Sequence, residues 1–249
     1  MLDYWEMRQK KRRLFIICML ATLAMGACFH TSAQDGATAL KQNYRTLLDN
    51  DEMQVVRVHY DPHQELAEHD HSHYPTVYVY LNNSGPVRFI HEEARPFALT
   101  RRPVRTGWFR VSPGRIEKHE VANLSPVASD FLRVECKRIP LGQIAHEFRW
   151  SQDADLRKTS ATVDYSSAEM VIERYVVAPG GVERVRAEQQ PELLIAFTPA
   201  TVHERGKTDE SMAASSVLWV KAGRELELRP VGSAAHVLAI RLLNERADK

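Results

Sequence analysis

The apolar residues of this chain come in short runs, and nearly every run ends at a turn. Val55-Val56-Arg57-Val58-His59-Tyr60, Thr76-Val77-Tyr78-Val79-Tyr80-Leu81 and Val87-Arg88-Phe89-Ile90 are β-branched and aromatic. Such residues suit a pleated, half-buried surface better than a helix. Asn82-Asn83-Ser84-Gly85-Pro86 separates the second run from the third, and Gly107-Trp108-Phe109-Arg110-Val111 leads into Ser112-Pro113-Gly114. Ile116 to Ala122 and Phe131 to Lys137 follow. Gln143 to Thr162 reads as a polar connector, after which the pattern restarts at Met170–Val177, Glu192–Phe197, Ser216–Lys221 and His236–Leu243. Many short strands between Gly, Pro and Asn turns predict an all-β sandwich or jelly roll. The exception is Ala37 to Asp49, where Leu40, Tyr44, Leu47 and Leu48 stand at helical spacing and predict a short amphipathic helix.

The two β-rich halves read as one unit used twice. Pro75-Thr76-Val77-Tyr78-Val79-Tyr80-Leu81 lies over Pro191-Glu192-Leu193-Leu194-Ile195-Ala196-Phe197. Val111-Ser112-Pro113-Gly114-Arg115 lies over Val220-Lys221-Ala222-Gly223-Arg224. The match is weak by identity but keeps its order. With 249 residues, 44% of them hydrophobic, the chain can build one large core or two modest ones.

The N-terminus reads as a targeting segment. Arg8 to Arg13 is basic, and Leu14 to Ala27 is an apolar run too short to span a bilayer comfortably. Thr31-Ser32-Ala33 permits cleavage before Gln34, which predicts a periplasmic or secreted protein. Met25-Gly26-Ala27-Cys28 resembles a lipobox, so a lipoprotein anchored at Cys28 is the alternative. Cys18 and Cys28 lie in this leader. Cys136 stands alone in the body, within an alternating strand, and reads as a buried inert thiol. The formal net charge is +1, and the leader holds much of the basic excess. Nothing here points to nucleic acid, and no membrane span is expected in the mature chain. A homodimer is one assembly open to it.

Glu68-His69-Asp70-His71-Ser72-His73 opens the run at Thr76, and five of the eleven histidines fall between His59 and His73. Alternate residues of a strand share a face, so His69, His71 and His73 would point one way. Imidazole is the commonest protein ligand for transition metals, so this row reads as part of a metal site or as a polar strand entry. Tyr78 and Tyr80 share a face with Thr76. They read either as ring and hydroxyl contacts to a ligand or as core aromatics. Arg101-Arg102-Pro103-Val104-Arg105 is a basic run that could draw a carboxylate substrate to a barrel mouth or could simply be solvated. There is no Gly-rich phosphate loop, nucleophile elbow or cysteine metal pair.

Taken together, the residues from about Val55 to Lys137 resemble the cupin family. Its first motif is His-x-His, four residues, Glu, then an apolar strand. Here His69-Asp70-His71 supplies the pair and Thr76 stands at the Glu position. The second motif, Pro-x-Gly or a relative followed by His-x3-Asn, is matched by Pro113-Gly114 and by His119 with Asn123. The resemblance implies two double-stranded β-helix barrels in tandem. The implied order is a signal peptide (1–33), an N-terminal helix and linker (34–54), a first cupin (55–140), a linker (141–168) and a degenerate second cupin (169–249). It implies His69, His71 and His119 as ligands of one divalent transition metal (Fe, Mn, Zn, Ni or Cu). Thr76 is a poor ligand, which leaves a three-histidine site, a site completed by His73, or a barrel without metal. Thr76, Tyr78, Tyr80 and Asn123 would border the ligand pocket. In the second half Val185, Ala187 and Leu228 replace the three histidines, so no metal is expected there. Three functions follow from the resemblance. They are a small-molecule-binding protein with a metal site, a metal-dependent oxygenase or isomerase, and a metal-free structural bicupin. Fold alone does not choose among them.

Overall fold

The computed structural model describes residues 42–71, 74–91, 95–115 and 117–243. The leader, its two cysteines and the Gln34 cleavage site therefore lie outside the described residues, as does His73. All that follows belongs to the unit Asn43–Lys249.

Among the described residues the first half holds β1 (Tyr44–Asp49), β2 (Met53–Tyr60), β3 (Glu65–His71), β4 (Thr76–Tyr80), β5 (Val87–His91), β6 (Phe97–Arg101), β7 (Phe109–Ser112), β8 (Glu117–Asn123), β9 (Ser129–Cys136) and β10 (Phe148–Trp150). The second half holds β11 (Ser160–Ser166), β12 (Met170–Val177), β13 (Glu183–Ala187), β14 (Glu192–Ala196), β15 (Ala200–His203), β16 (Glu210–Met212), β17 (Val217–Val220), β18 (Arg224–Pro230) and β19 (Ala235–Leu242). Each half is a sandwich closed into a barrel. A six-stranded sheet β1-β2-β9-β4-β7-β10 faces a four-stranded sheet β3-β8-β5-β6. A five-stranded sheet β11-β12-β19-β14-β17 faces β13-β18-β15-β16. This is the tandem jelly roll that the strand pattern predicts.

The two larger sheets are buried on both faces. One face of β2, β4, β7 and β9 presents Met53, Val55, Val77, Val79, Phe109, Val111, Leu132 and Val134. These pack in a single cluster with Ile172, Leu193, Ile195, Leu238 and Ile240 of the second half. The other face turns into each barrel: Val56, Val58, Tyr60, Tyr80 and Phe131 in the first, Tyr175, Val177, Leu194, Ala196, Val237 and Ala239 in the second. A strand buried on both faces reads as a near-continuous apolar run, which is why β4, β14 and β19 stand out in the sequence. Cys136 lies fully buried in the shared cluster, and burial pushes its thiol up to about 12.

Three expectations need correction. Tyr44–Asp49, expected in a helix, is strand β1, paired antiparallel with β2. A bulge between Thr46 and Leu48 lets both Leu47 and Leu48 pack on the shared core, which breaks the alternation and imitates a helical stripe. The segment 141–168 is more than a connector. β10 pairs with β7 and extends the first large sheet, while β11 pairs with β12 and extends the second. In the second barrel the residue opposite Val185 is Leu226 rather than Leu228, so Leu226 holds the place of His119.

A polar clamp crosses the boundary between the halves. Arg174, on β12, donates from Nε to Asp164 Oδ2 (2.6 Å), from Nη1 to His236 Nε2 (2.5 Å) and from Nη2 to the carbonyl of Gly107 in the first barrel (2.9 Å). All three side chains are buried. Burial, with the Arg174 charge beside it, holds His236 neutral down to about 3. His236, which the sequence marks as a core or edge histidine, is thus a bonded core residue. Gly107 sits at φ 86°, and a Cβ there would lie 2.7 Å from His236 Cε1 and 3.2 Å from Arg174 Nη1. Gly107→Ala therefore meets both backbone strain and a blocked clamp. It should lower unfolding free energy by at least ~2 kcal/mol in urea titrations. A variant as stable as the parent would mean that the clamp bears no load.

Candidate functional site

The first barrel's small sheet places a row of rings across its inner wall. His69 on β3 is directly opposite His119 on β8, which is directly opposite His91 on β5, which is opposite Phe97 on β6. Residues in register across a sheet share a face. A bulge between Leu66 and His69 turns both of those residues inward although they are three apart. Ring centroids are 5.2 Å apart for His69–His119 and for His91–His119, both edge to face, and His91 stacks on Phe97 at 4.5 Å.

The protonation of these rings follows from their partners. His69 Nδ1 lies 2.8 Å from the Ala67 carbonyl, which can only accept, so Nδ1 carries the proton. Its Nε2 then holds a lone pair and accepts from the Tyr44 hydroxyl at 2.8 Å. Tyr44 in turn lies 3.1 Å from the Tyr60 hydroxyl. Burial lowers the His69 pKa, the Ala67 bond opposing, and pushes the Tyr44 phenol up to about 12. Burial, followed by the charges of His69 and His91, brings His119 down to about 3. His69 and His119 are thus neutral at ordinary pH, the form in which imidazole binds a metal. His71 falls in β3 in register with Glu117, and its ring lies outside the described atoms. Among the described residues no three His, Cys, Asp or Glu side chains form a group able to hold a metal ion.

Facing this wall is a cavity of about 570 Å³ bordered by both sheets. Tyr78 and Tyr80 line it; Thr76 and Asn123 do not. Thr76 is buried and donates to the Tyr74 carbonyl (2.8 Å), while Asn123 donates to the carbonyls of Asp61 (2.8 Å) and Val127 (3.0 Å). Asn123 thus ties the loop after β8 to the loop after β2, a structural task for the last residue of the second motif. On the large sheet Arg133, Tyr78 and Arg110 stand side by side. Arg133 pairs with Glu135 at 2.5 Å. Arg110 lies over the Tyr78 ring at 4.2 Å and pairs with Glu147 at 2.9 Å. Burial opposes the Arg110 charge, but Tyr78, Tyr80 and Glu147 outweigh it and raise its pKa. Arg101, at the end of β6, lies over Tyr80 at 5.0 Å and donates to Ser129 Oγ at 3.0 Å.

His91, Tyr44, Arg110 and Arg133 do not stand out as site residues from sequence. A signal for His91 exists: Val87, Phe89 and His91 alternate along β5. Arg133 likewise alternates with Phe131 and Glu135 along β9. Each is hidden because a polar residue in a short strand looks solvated, although β9 is covered on both faces and His91 is buried on the inner face of β5.

The second barrel has no such interior. Val185 and Leu226 fill the places of His69 and His119, with Ala187 and Leu228 packed beside them. His203 is on the surface, bound to Asp209 at 2.6 Å. A buried carboxylate remains inside. Glu192, in register with Arg241 and bonded to it at 2.5 Å, occupies the position matching Thr76. Burial, more than its neighbours Glu173 and Glu188, raises its carboxyl to about 7 against the Arg241 charge.

No family model and no curated protein matches this chain. Solved structures do. Protein Ylba from E. coli superposes with a TM-score of 0.58 at 11% identity, over 84% of this chain and 86% of that one. Salicylate 1,2-dioxygenase from Pseudaminobacter salicylatoxidans gives 0.54 at 12% identity, over 84% and 80%. A mutant of oxalate decarboxylase from Bacillus subtilis gives 0.54 at 12% identity, over 80% and 75%. These likenesses show the fold: two jelly-roll barrels in tandem, as the paired motifs lead one to expect.

Glu192 supplies a pH signature. Its carboxyl titrates near 4.5 when unfolded and near 7 when folded. Its contribution to stability is complete below pH 4.5 and is lost as pH rises to 7. Glu192→Gln removes that titration. The stability of the variant relative to the parent should therefore improve between pH 4.5 and 7.5, by at most about 3 kcal/mol. Parallel stability curves across that range would show that Glu192 titrates normally.

Proposed function

We propose that the N-terminal barrel is the functional half, binding a small molecule beside a divalent transition metal held by His69, His71 and His119. The observation that carries this reading is the contrast between the two interiors. The first encloses about 570 Å³ walled by His91, His119, tyrosines and arginines, while aliphatic side chains dominate the second. A half-enclosed pocket of this size, with aromatic walls and charged groups between them, suits a small organic ligand.

Two features of the described residues favour an imidazole-bound metal. His69 and His119 are opposed on paired strands and neutral. The Ala67 carbonyl fixes the His69 tautomer that leaves Nε2 as the donor, a common outer-shell arrangement for ligating histidines. For Nε2 to ligate, Tyr44 must release it and keep its hydroxyl contact with Tyr60. A bound divalent ion would supply Lewis-acid polarisation of that ligand. The tyrosines would orient the ligand, and the apolar walls would limit water. Export, with cleavage before Gln34 and lipidation at Cys28 as the alternative, completes the proposal. Mass spectrometry of the mature N-terminus distinguishes a free Gln34 from a lipidated Cys28.

The decisive assay is elemental analysis of the untagged protein starting at Gln34. About one equivalent of iron, manganese, nickel, copper or zinc is expected. His69→Ala and His119→Ala should each lose most of it, and His203→Ala should keep it. Equal occupancy in the three variants, or none in the parent after reconstitution, contradicts the ligand set.

A further inference from the structure

The described lining of the first barrel's cavity is rich in arginine. Arg101, Arg102, Arg110, Arg115, Arg133 and Arg149 line it, and among the described lining residues Glu147 is the single carboxylate. Glu135, just beyond the lining, is taken up by Arg133. Arg110 Nε and both Nε and Nη1 of Arg101 are buried without a hydrogen-bond partner among the described residues. A buried N–H left unpaired costs free energy, more so on a charged group. Both side chains line the cavity, so the chain leaves guanidinium donor capacity beside it unspent.

The remaining walls say what body an acceptor there should have. β6 is an edge strand, and Phe97, Leu99 and Arg101 alternate along it towards the cavity. Phe97 and Leu99 are 40% and 41% exposed, so apolar surface rims the opening. Tyr78, Tyr80 and Phe89 continue the apolar lining inward. A sugar site would be expected to offer carboxylates and amides to hydroxyl groups; the described lining has no Asn or Gln and one Glu. An organic ammonium ligand would meet arginines in place of carboxylates.

We propose that the first barrel takes a small carboxylate with a flat apolar body, its carboxylate bound by Arg110 and Arg101 and its body held between the aromatic walls. This rests on the reading of the cavity as the ligand site and does not require the metal. Guanidinium groups suit the role because their planar fork matches a carboxylate and keeps its charge when buried. Tyr78 and Tyr80, stacked under Arg110 and Arg101, hold the two forks in place.

The test is calorimetric titration of the untagged chain from Gln34 with 2-naphthoate and with its neutral isostere 2-naphthamide, in metal-loaded and chelator-treated protein. Naphthoate should bind at least tenfold tighter than naphthamide in both preparations. Arg110→Gln and Arg101→Gln should each weaken naphthoate about tenfold or more and leave naphthamide unchanged. Arg110→Lys should retain part of the preference. Equal binding of acid and amide, no binding of naphthoate, or glutamine variants that fold and bind naphthoate as the parent does would overturn the assignment. The acid–amide comparison needs no variant, so it stands even if an arginine replacement fails to fold. A positive result in protein without metal would separate this proposal from the metal reading, which elemental analysis judges alone.

Discussion

The structure depends on two large sheets pressed face to face. Each barrel gives one sheet to a shared apolar layer that joins Val55, Val79, Leu132 and Val134 to Ile172, Leu193, Leu238 and Ile240. Burying that layer is the main favourable term holding the halves together, since apolar burial scales with area and needs no special geometry. The Arg174 clamp adds direction to it. A buried ion pair is a poor source of net stability but a good source of specificity, because its hydrogen bonds are met in only one arrangement. By reaching the Gly107 carbonyl, Arg174 fixes how the turn before β7 sits against the second barrel. β7 carries Arg110, so the clamp helps set one wall of the cavity.

The shared layer also explains the asymmetry of the interiors. With the second barrel filled by Val185, Leu194, Leu226 and Val237, its sheet is a rigid backing for the first. Close-packed apolar interiors deform little. The first barrel can then carry an interior of rings, guanidinium groups and empty volume that would be unstable in an isolated sheet pair. The buried carboxylate of the second barrel, Glu192 with Arg241, sits at the start of β14.

Much of this is legible in the chain. Strands buried on both faces announce themselves as apolar runs, and β4, β9, β12, β14 and β19 fall close to where those runs place them. The duplication is readable because Thr76–Leu81 and Glu192–Phe197 keep the same order relative to their turns. What escapes is local irregularity and long-range register. The bulge at Leu47 disguises β1 as a helix, and short strands such as β10 and β16 lack the length for a periodic signal. The row His69–His119–His91 joins three strands far apart in sequence, and pairing register cannot be read from one chain. Arg110 and Arg133 look like outward charges because alternation tells which residues share a face, not which face is covered.

The most direct test of the functional assignment is anomalous diffraction from crystals of the untagged protein, recorded at the absorption edge of the metal it retains. One strong peak is predicted, beside the rings of His69 and His119 in the first barrel, with none in the second. A peak in the second barrel, or none beside those two histidines in metal-loaded crystals, would contradict the account.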